Sequence, residues 1–187
     1  MTPQNLVEEL NTCFIAFDEI MGRHNVEKIK TIGDSYMCAA GIPTPDENHV
    51  FNIIKASIEI NNFIKQYNLK RSETGLEPWD LRIGIHTGPV LAGVVGKKKY
   101  AYDIWGSTVN IASRMESNGE PGQVNISSSV YKLVKEKYNC RHRGKIYAKN
   151  VGEIDMYFLG EETNGVTQDA ILINESGKKE IEIQTSN

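Results

Sequence analysis

The run Tyr102-Asp103-Ile104-Trp105-Gly106-Ser107-Thr108-Val109-Asn110-Ile111-Ala112-Ser113-Arg114-Met115 sets a carboxylate, a glycine, an amide and a guanidinium close together. Gly106 suits a turn, and Ser107 or Thr108 is placed to cap a helix that follows. On that helix Asn110 and Arg114 lie four residues apart and share a face. An amide beside a guanidinium, with no acidic side chain between them, suits an electron-rich oxygen or a phosphate. Asp103 stands just before the turn, where a strand would end and a base or sugar could be read. Spacing alone also describes an amphipathic helix with a surface arginine, because short motifs are weak signals.

The elements that must position these residues follow from periodicity. Thr2-Pro3 predicts a capped helix start, and Leu6, Leu10, Phe14 and Phe17 continue it at helical spacing. Cys13 falls on that helix as a small buried hydrophobe. Val26 to Ala40 predicts a β-hairpin broken at Gly33-Asp34. Pro43 and Pro45 mark a loop over Gly41 to Asp46, and Val50, Ile53, Ile54, Ile58, Phe63 and Ile64 predict a second long helix. Lys70 to Pro78 reads as a polar loop. Strands are expected over Leu81 to His86 and over Tyr100 to Ile104, with a turn at Gly88-Pro89 and Val90 to Val95 as the start of another apolar segment. A short strand at Val124 to Ile126, a helix over Ser127 to Tyr138 with a serine cap, and strands at Cys140 to Tyr147 and Ile154 to Leu159 complete the pattern. Helices mixed with strand pairs give an α+β domain with helices packed on one sheet.

Three segments carry a family resemblance: the run above, Glu27-Lys28-Ile29-Lys30-Thr31-Ile32-Gly33-Asp34-Ser35-Tyr36-Met37, and Leu81-Arg82-Ile83-Gly84-Ile85-His86-Thr87-Gly88-Pro89-Val90. In this order and spacing they resemble the catalytic domain of class III adenylyl and guanylyl cyclases. The resemblance covers residues 2 to about 160 and implies a ferredoxin-like βαββαβ core with additional C-terminal strands and a helix. The expected division is a cyclase domain over 1–160, N-terminally incomplete, and a polar tail over 161–187.

The resemblance also implies the chemistry. In a nucleotide cyclase the ribose 3′-oxygen attacks the α-phosphate and expels pyrophosphate. That needs in-line positioning and two divalent ions, Mg²⁺ or Mn²⁺, held by carboxylates. Asp34 matches one family metal ligand; taken alone, Gly-Asp is an ordinary turn pair. The other family aspartate sits in a strand resembling Phe-x-Asp-Ile-x-Gly-Phe-Thr, expected shortly before the segment matching Thr2 to Leu6. That motif is absent, which implies a chain lacking a central strand, with exposed sheet edges and low activity. If the short chain were fully active, Asp46 or Asp18 would be the next candidate for a second ligand.

Lys30 and Asp103 match the base-reading positions. An ammonium and a carboxylate complement the N1 acceptor and exocyclic amine donor of adenine. Guanine, with an O6 acceptor and N1 and N2 donors, suits an acid in place of the lysine. Asn110 matches the ribose-orienting residue, Arg114 the one that stabilises charge on the α-phosphate, and Lys149 the lysine of the terminal phosphates. The segment continues Asn150-Val151 where the family has Gly-Lys, so Lys149 is the loosest match. His86 has no partner at ligand spacing among His24, His49 and His142 and reads as structural. Family sites form between two domains, and one chain carrying both kinds of residue implies a homodimer.

Composition sets the outer bounds. With 187 residues, 40% hydrophobic and 24% charged, the chain has enough material for one core. A net charge of −3 gives no electrostatic case for nucleic acid or an anionic membrane, and Lys97, Lys98 and Lys99 read as a solvated loop. Cys13, Cys38 and Cys140 are odd in number and scattered, which argues for reduced thiols. No apolar run is long enough to span a membrane and no signal-like start is present, so a cytoplasmic setting is expected, or the cytoplasmic side of a membrane-anchored parent. Three functions compete at this point: an adenylate cyclase domain acting on ATP, a guanylate cyclase, and a silent cyclase-like dimerisation module.

Overall fold

The computed structural model describes residues 2–98, 100–148 and 151–163. In chain order the elements are α1 (Pro3–Arg23), β1 (Val26–Ile32), β2 (Ser35–Ala40), α2 (His49–Glu73), β3 (Ile83–Ile85), β4 (Leu91–Val95), β5 (Ala101–Trp105), α3 (Ser107–Ser117), β6 (Val124–Ser127), α4 (Ser128–Val134), β7 (Tyr138–Ala148) and β8 (Gly152–Glu162). The architecture is α+β, as expected from the sequence.

The central sheet runs β3-β6-β8-β7, with β3 and β6 parallel and the other pairs antiparallel. Successive residues of β8 point to opposite faces, and each face meets a helix layer. Leu159 packs with Val50 and Ile54 of α2, Val130 and Val134 of α4, and Ile126. Ile154 and Met156 pack from the other face against Ile111 and Met115 of α3. That second contact fixes the helix carrying Asn110 and Arg114. A third cluster joins Cys13, Phe17, Ile20 and Met21 of α1 to Val26 of β1 and Ala56, Ile60 and Ile64 of α2.

The β1–β2 hairpin and the β4–β5 hairpin each pair only within themselves among the described residues. The first is nevertheless tied to the central sheet through side chains: Leu81 and Ile83 share a core with Tyr36, Cys38 and Ala40. Among the described residues β3 therefore keeps one edge without a ladder partner.

The cap at Thr2 forms, its Oγ1 accepting from the amide of Asn5 at 3.2 Å. Other boundaries differ from the sequence reading. α2 runs on to Glu73, through residues expected to be loop. The reason is Arg71, which is buried: it pairs with Glu9 of α1, and its Nε donates to the carbonyl of Glu77 at 2.8 Å. Trp79 Nε1 donates to the same Glu9 carboxylate at 2.9 Å. A polar stretch thus hides an interior ion pair that joins two helices and a loop.

α4 stops at Val134, and Tyr138, expected as its last residue, instead opens β7 with its side chain buried. β3 is shorter than expected, at Ile83–Ile85. β8 extends to Glu162, past the expected boundary at 160; residues 164–187, most of the expected tail, lie outside the described residues. Among the described residues no helix is long and apolar enough to cross a membrane. Burial pushes the thiols of Cys13 and Cys38 up to about 11 and about 12, so both remain protonated and unreactive at neutral pH.

Candidate active site

Lys30 on β1 and Asp103 on β5 are far apart in sequence and meet in space. Lys30 Nζ donates to Asp103 Oδ2 at 2.6 Å. The other carboxylate oxygen, Oδ1, accepts the amide of Ile104 at 2.8 Å. The Lys30 side chain is 40% exposed and that of Asp103 only 16%, so the ammonium faces outward over a more sheltered carboxylate. Across the ladder Asp103 lies opposite Gly93, which leaves no side chain beside it on that face.

The hydrogen bond from Lys30, helped by the Ile104 amide, holds the Asp103 carboxyl below the usual aspartate range. A lowered carboxylate pKa means the pair supports the fold above the ordinary value of about 3.9 and is lost as pH falls through the lowered one. Carbon-detected NMR titration should place Asp103 below a normal aspartate. Lys30→Ala should bring it back up, and an unmoved Asp103 would show that the ion pair does not form in solution.

α3 begins after Gly106, whose φ of 143° lies in the left-handed region that favours glycine. Neither Ser107 nor Thr108 caps the helix; the cap position is Gly106 and carries no side-chain bond. Thr108 is buried instead, and its Oγ1 donates to the carbonyl of Pro89 at 2.7 Å, tying the start of α3 to the loop after β3. Asn110 and Arg114 are both exposed on α3. Arg114 Nη1 donates to the carbonyl of Tyr147 at 3.1 Å, which anchors the guanidinium to the end of β7. Lys149, two residues further on, lies outside the described residues.

Asp34 sits exposed in the β1–β2 turn after Gly33, whose φ is 62°. It makes no side-chain hydrogen bond among the described residues. The alternative carboxylates are engaged elsewhere. Asp18 takes Lys28 at 2.8 Å and the Tyr36 hydroxyl at 2.6 Å. Asp46 takes the Asn48 amide at 2.8 Å and Asn52 Nδ2 at 2.7 Å. Among the described residues no three His, Cys, Asp or Glu side chains are grouped to hold a metal ion. Asp34 therefore fits a single metal contact, and the described residues do not form the donor set that two ions need.

His86 Nδ1 lies 2.7 Å from Ser127 Oγ, and Ser127 is fully buried at the start of α4. Burial lowers the His86 pKa, which keeps the ring neutral. The serine expected to cap α4 serves this contact instead. Sequence reading missed both this link and the Thr108–Pro89 link. Their only signal was hydroxyl residues at helix starts, where capping is the usual role.

The chain is similar to known proteins over nearly all the described residues. The family model "Adenylate and Guanylate cyclase catalytic domain" matches residues 1–161. An adenylate cyclase of Mycobacterium tuberculosis is 40% identical over 157 residues, covering 84% of this chain and 34% of that protein. The guanylate cyclase soluble subunit beta-2 of Rattus norvegicus is 41% identical over 171 residues, covering 91% of this chain and 24% of that protein. The chain thus spans about a third or less of these relatives. The guanylate cyclase domain of RhGC from Catenaria anguillulae, solved in complex with GTP, superposes with a TM-score of 0.78 at 31% identity, covering 87% of each chain. The catalytic core of a rhodopsin-guanylyl cyclase with converted specificity, solved in complex with ATPalphaS, gives a TM-score of 0.77 at 32% identity, covering 86% of this chain and 85% of that one. With the three motifs, the α+β fold and a family match over nearly all the described residues, the chain belongs to the adenylate and guanylate cyclase catalytic-domain family.

Proposed function

We propose that this chain is the catalytic domain of an adenylate cyclase, converting ATP to 3′,5′-cyclic AMP and pyrophosphate at a site shared between two copies. The observation that carries the reading is the 2.6 Å Lys30–Asp103 pair. It holds a donor and an acceptor side by side, with Asp103 toward the exocyclic amine of adenine and Lys30 toward N1. Guanine in the same pose would set O6 against the carboxylate and N1–H against the ammonium, two mismatches at once.

Asn110 orients the ribose and Arg114 meets the charge that develops at the α-phosphate. When bound, divalent ions such as Mg²⁺ or Mn²⁺ supply activation of the ribose 3′-oxygen and offset phosphate charge; Asp34 is the carboxylate that would touch one of them. A second copy is favoured by the β4–β5 hairpin and its flanks, which leave Leu91 75%, Val94 63% and Tyr100 78% exposed, alongside Val95 and Trp105.

Assayed in its natural full-length form with Mn²⁺ or Mg²⁺, the protein should make cyclic AMP from ATP at least about tenfold faster than cyclic GMP from GTP, a floor that a single one of the two mismatches already sets. Equal or greater cyclic GMP formation would give the guanylate reading. No product from either nucleotide would give the silent dimerisation module, in keeping with the sparse carboxylate set around Asp34.

A further inference from the structure

The strand that carries Asp103 and the helix that carries Asn110 and Arg114 diverge from one joint. Leu91 and Trp105 pair in the β4–β5 ladder. Pro89 and Val90 come directly before Leu91, and Gly106 directly after Trp105. Gly106 packs closely on that loop: a Cβ built there would stand 3.4 Å from the Pro89 carbonyl oxygen and 3.9 Å from Val90 Cα. The same oxygen accepts Thr108 Oγ1 at 2.7 Å. Gly88 closes the other side of the hydroxyl, since a Cβ there would lie 2.7 Å from Thr108 Oγ1 and 3.6 Å from Thr108 Cγ2.

A threonine at a helix start commonly bonds its own local backbone. Thr108 directs its donor at the loop instead, and α3 starts with no side-chain cap. The loop is itself anchored by His86, whose Nδ1 lies 2.7 Å from the Oγ of buried Ser127 at the end of β6. Thr108 thus holds the start of α3 to a fixed ledge. The far end of α3 is held by Met115, buried against Ile154 and Met156. With that end fixed, the Thr108 bond sets the direction in which α3 leaves the joint. It thereby sets the separation between the Lys30–Asp103 pair and Arg114.

We propose that Thr108 is a positioning residue: its hydroxyl, clamped on the Pro89 carbonyl, aligns α3 with β5 so that Asn110 and Arg114 meet the ribose and phosphates of a nucleotide whose base is held by Lys30 and Asp103. The role rests on the cyclase activity proposed for this chain. Thr108 touches no substrate and acts through the helix. Misplacing a reacting group by about 1 Å costs on the order of 100-fold in rate. The base contacts on β1 and β5 stay in place, so the loss falls on turnover.

Steady-state cyclic AMP formation by the full chain, over a range of ATP and below the melting transition of every variant, tests it. T108A should lower kcat about 10- to 100-fold and move KM less than about threefold. T108S keeps the donor and should stay within about threefold of wild type in kcat. S57A is the matched control. Ser57 is buried on α2 and its Oγ donates to the Ile54 carbonyl at 2.7 Å, the same kind of bond away from the joint. Its loss should lower the melting temperature and leave kcat within about twofold. G88A pushes on the same hydroxyl from the other side, so it should also lower kcat, and it decides the matter if T108A does not fold. On a T108A background the obstructing hydroxyl is gone, and G88A should cost less than about threefold more, the non-additivity expected of groups in contact. A T108A kcat within about twofold of wild type, T108S as slow as T108A, an equal kcat loss in S57A, or additive G88A and T108A effects would each overturn the clamp alone. A wild type that prefers GTP is scored by the same ratios with GTP. A wild type that makes neither cyclic nucleotide overturns the cyclase reading, and this role with it.

Discussion

Arg114→Ala should cut turnover about 100- to 1000-fold while changing the KM for ATP far less. That is the pattern for a group aimed at charge that develops only in the transition state. Arg114 is suited to the role because it is exposed on α3 yet held at Tyr147, so its fork is oriented before substrate arrives. Asp34→Ala should be similarly inactive. Asp34 lies in the β1–β2 turn and Arg114 on a helix packed against β8, and among the described residues no hydrogen bond or ion pair joins the two. If they meet only across two copies, mixing the two inactive variants should restore one intact site of the two in each heterodimer, about half the activity of a wild-type dimer. The measurement is cyclic AMP formation by the mixture at saturating Mn²⁺, with native mass spectrometry confirming that heterodimers are present. Stable heterodimers without recovered activity would sink the shared-site reading, and full activity of either single variant would remove that residue from the chemistry.

What the sequence disclosed and what it hid divide along physical lines. The hairpin at Gly33-Asp34, the long helix after Pro45 and the strand–turn–helix around Gly106 were all legible, because local turn preference and periodicity specify them. Lys30 and Asp103 could be paired only through family resemblance, since no local rule links a residue on β1 to one on β5; the structure brings them to 2.6 Å. The hydroxyls of Thr108 and Ser127 were misread as caps. Each had a stronger tertiary partner, the Pro89 carbonyl and the His86 ring, and local propensity yields to such contacts. Arg71 was taken for loop polarity because a charged side chain is seldom buried unless paired, and its partner Glu9 lies on another helix.

Gly84, in β3, lies against the backbone of α3. A Cβ built there would stand 2.0 Å from the backbone nitrogen of Glu116, 2.6 Å from its Cα and 2.6 Å from the carbonyl carbon of Met115. These are main-chain atoms of α3, so no side-chain rotation relieves the overlap. Glycine within a strand often marks such a close backbone approach. Here it lets α3 lie directly on β3, with Met115 fully buried against Ile154 and Met156. Gly84→Ala must push the C-terminal half of α3 off the sheet. Overpacking of this kind costs about 3 kcal/mol or more when backbone has to move. For a chain of this size that lowers the melting temperature by roughly 6–12 °C. Because α3 also carries Asn110 and Arg114, turnover should fall even below the melting transition, where the protein is still folded. Gly22→Ala is the control. Gly22 lies in α1 with nothing within 4 Å of a built Cβ, so the change should be neutral or stabilising by up to about 1 kcal/mol. Scanning calorimetry of both variants, beside a cyclase assay at 25 °C, separates the cases. If Gly84→Ala melts like the wild type, α3 does not rest on β3 as described, and the position assigned to Arg114 fails with it.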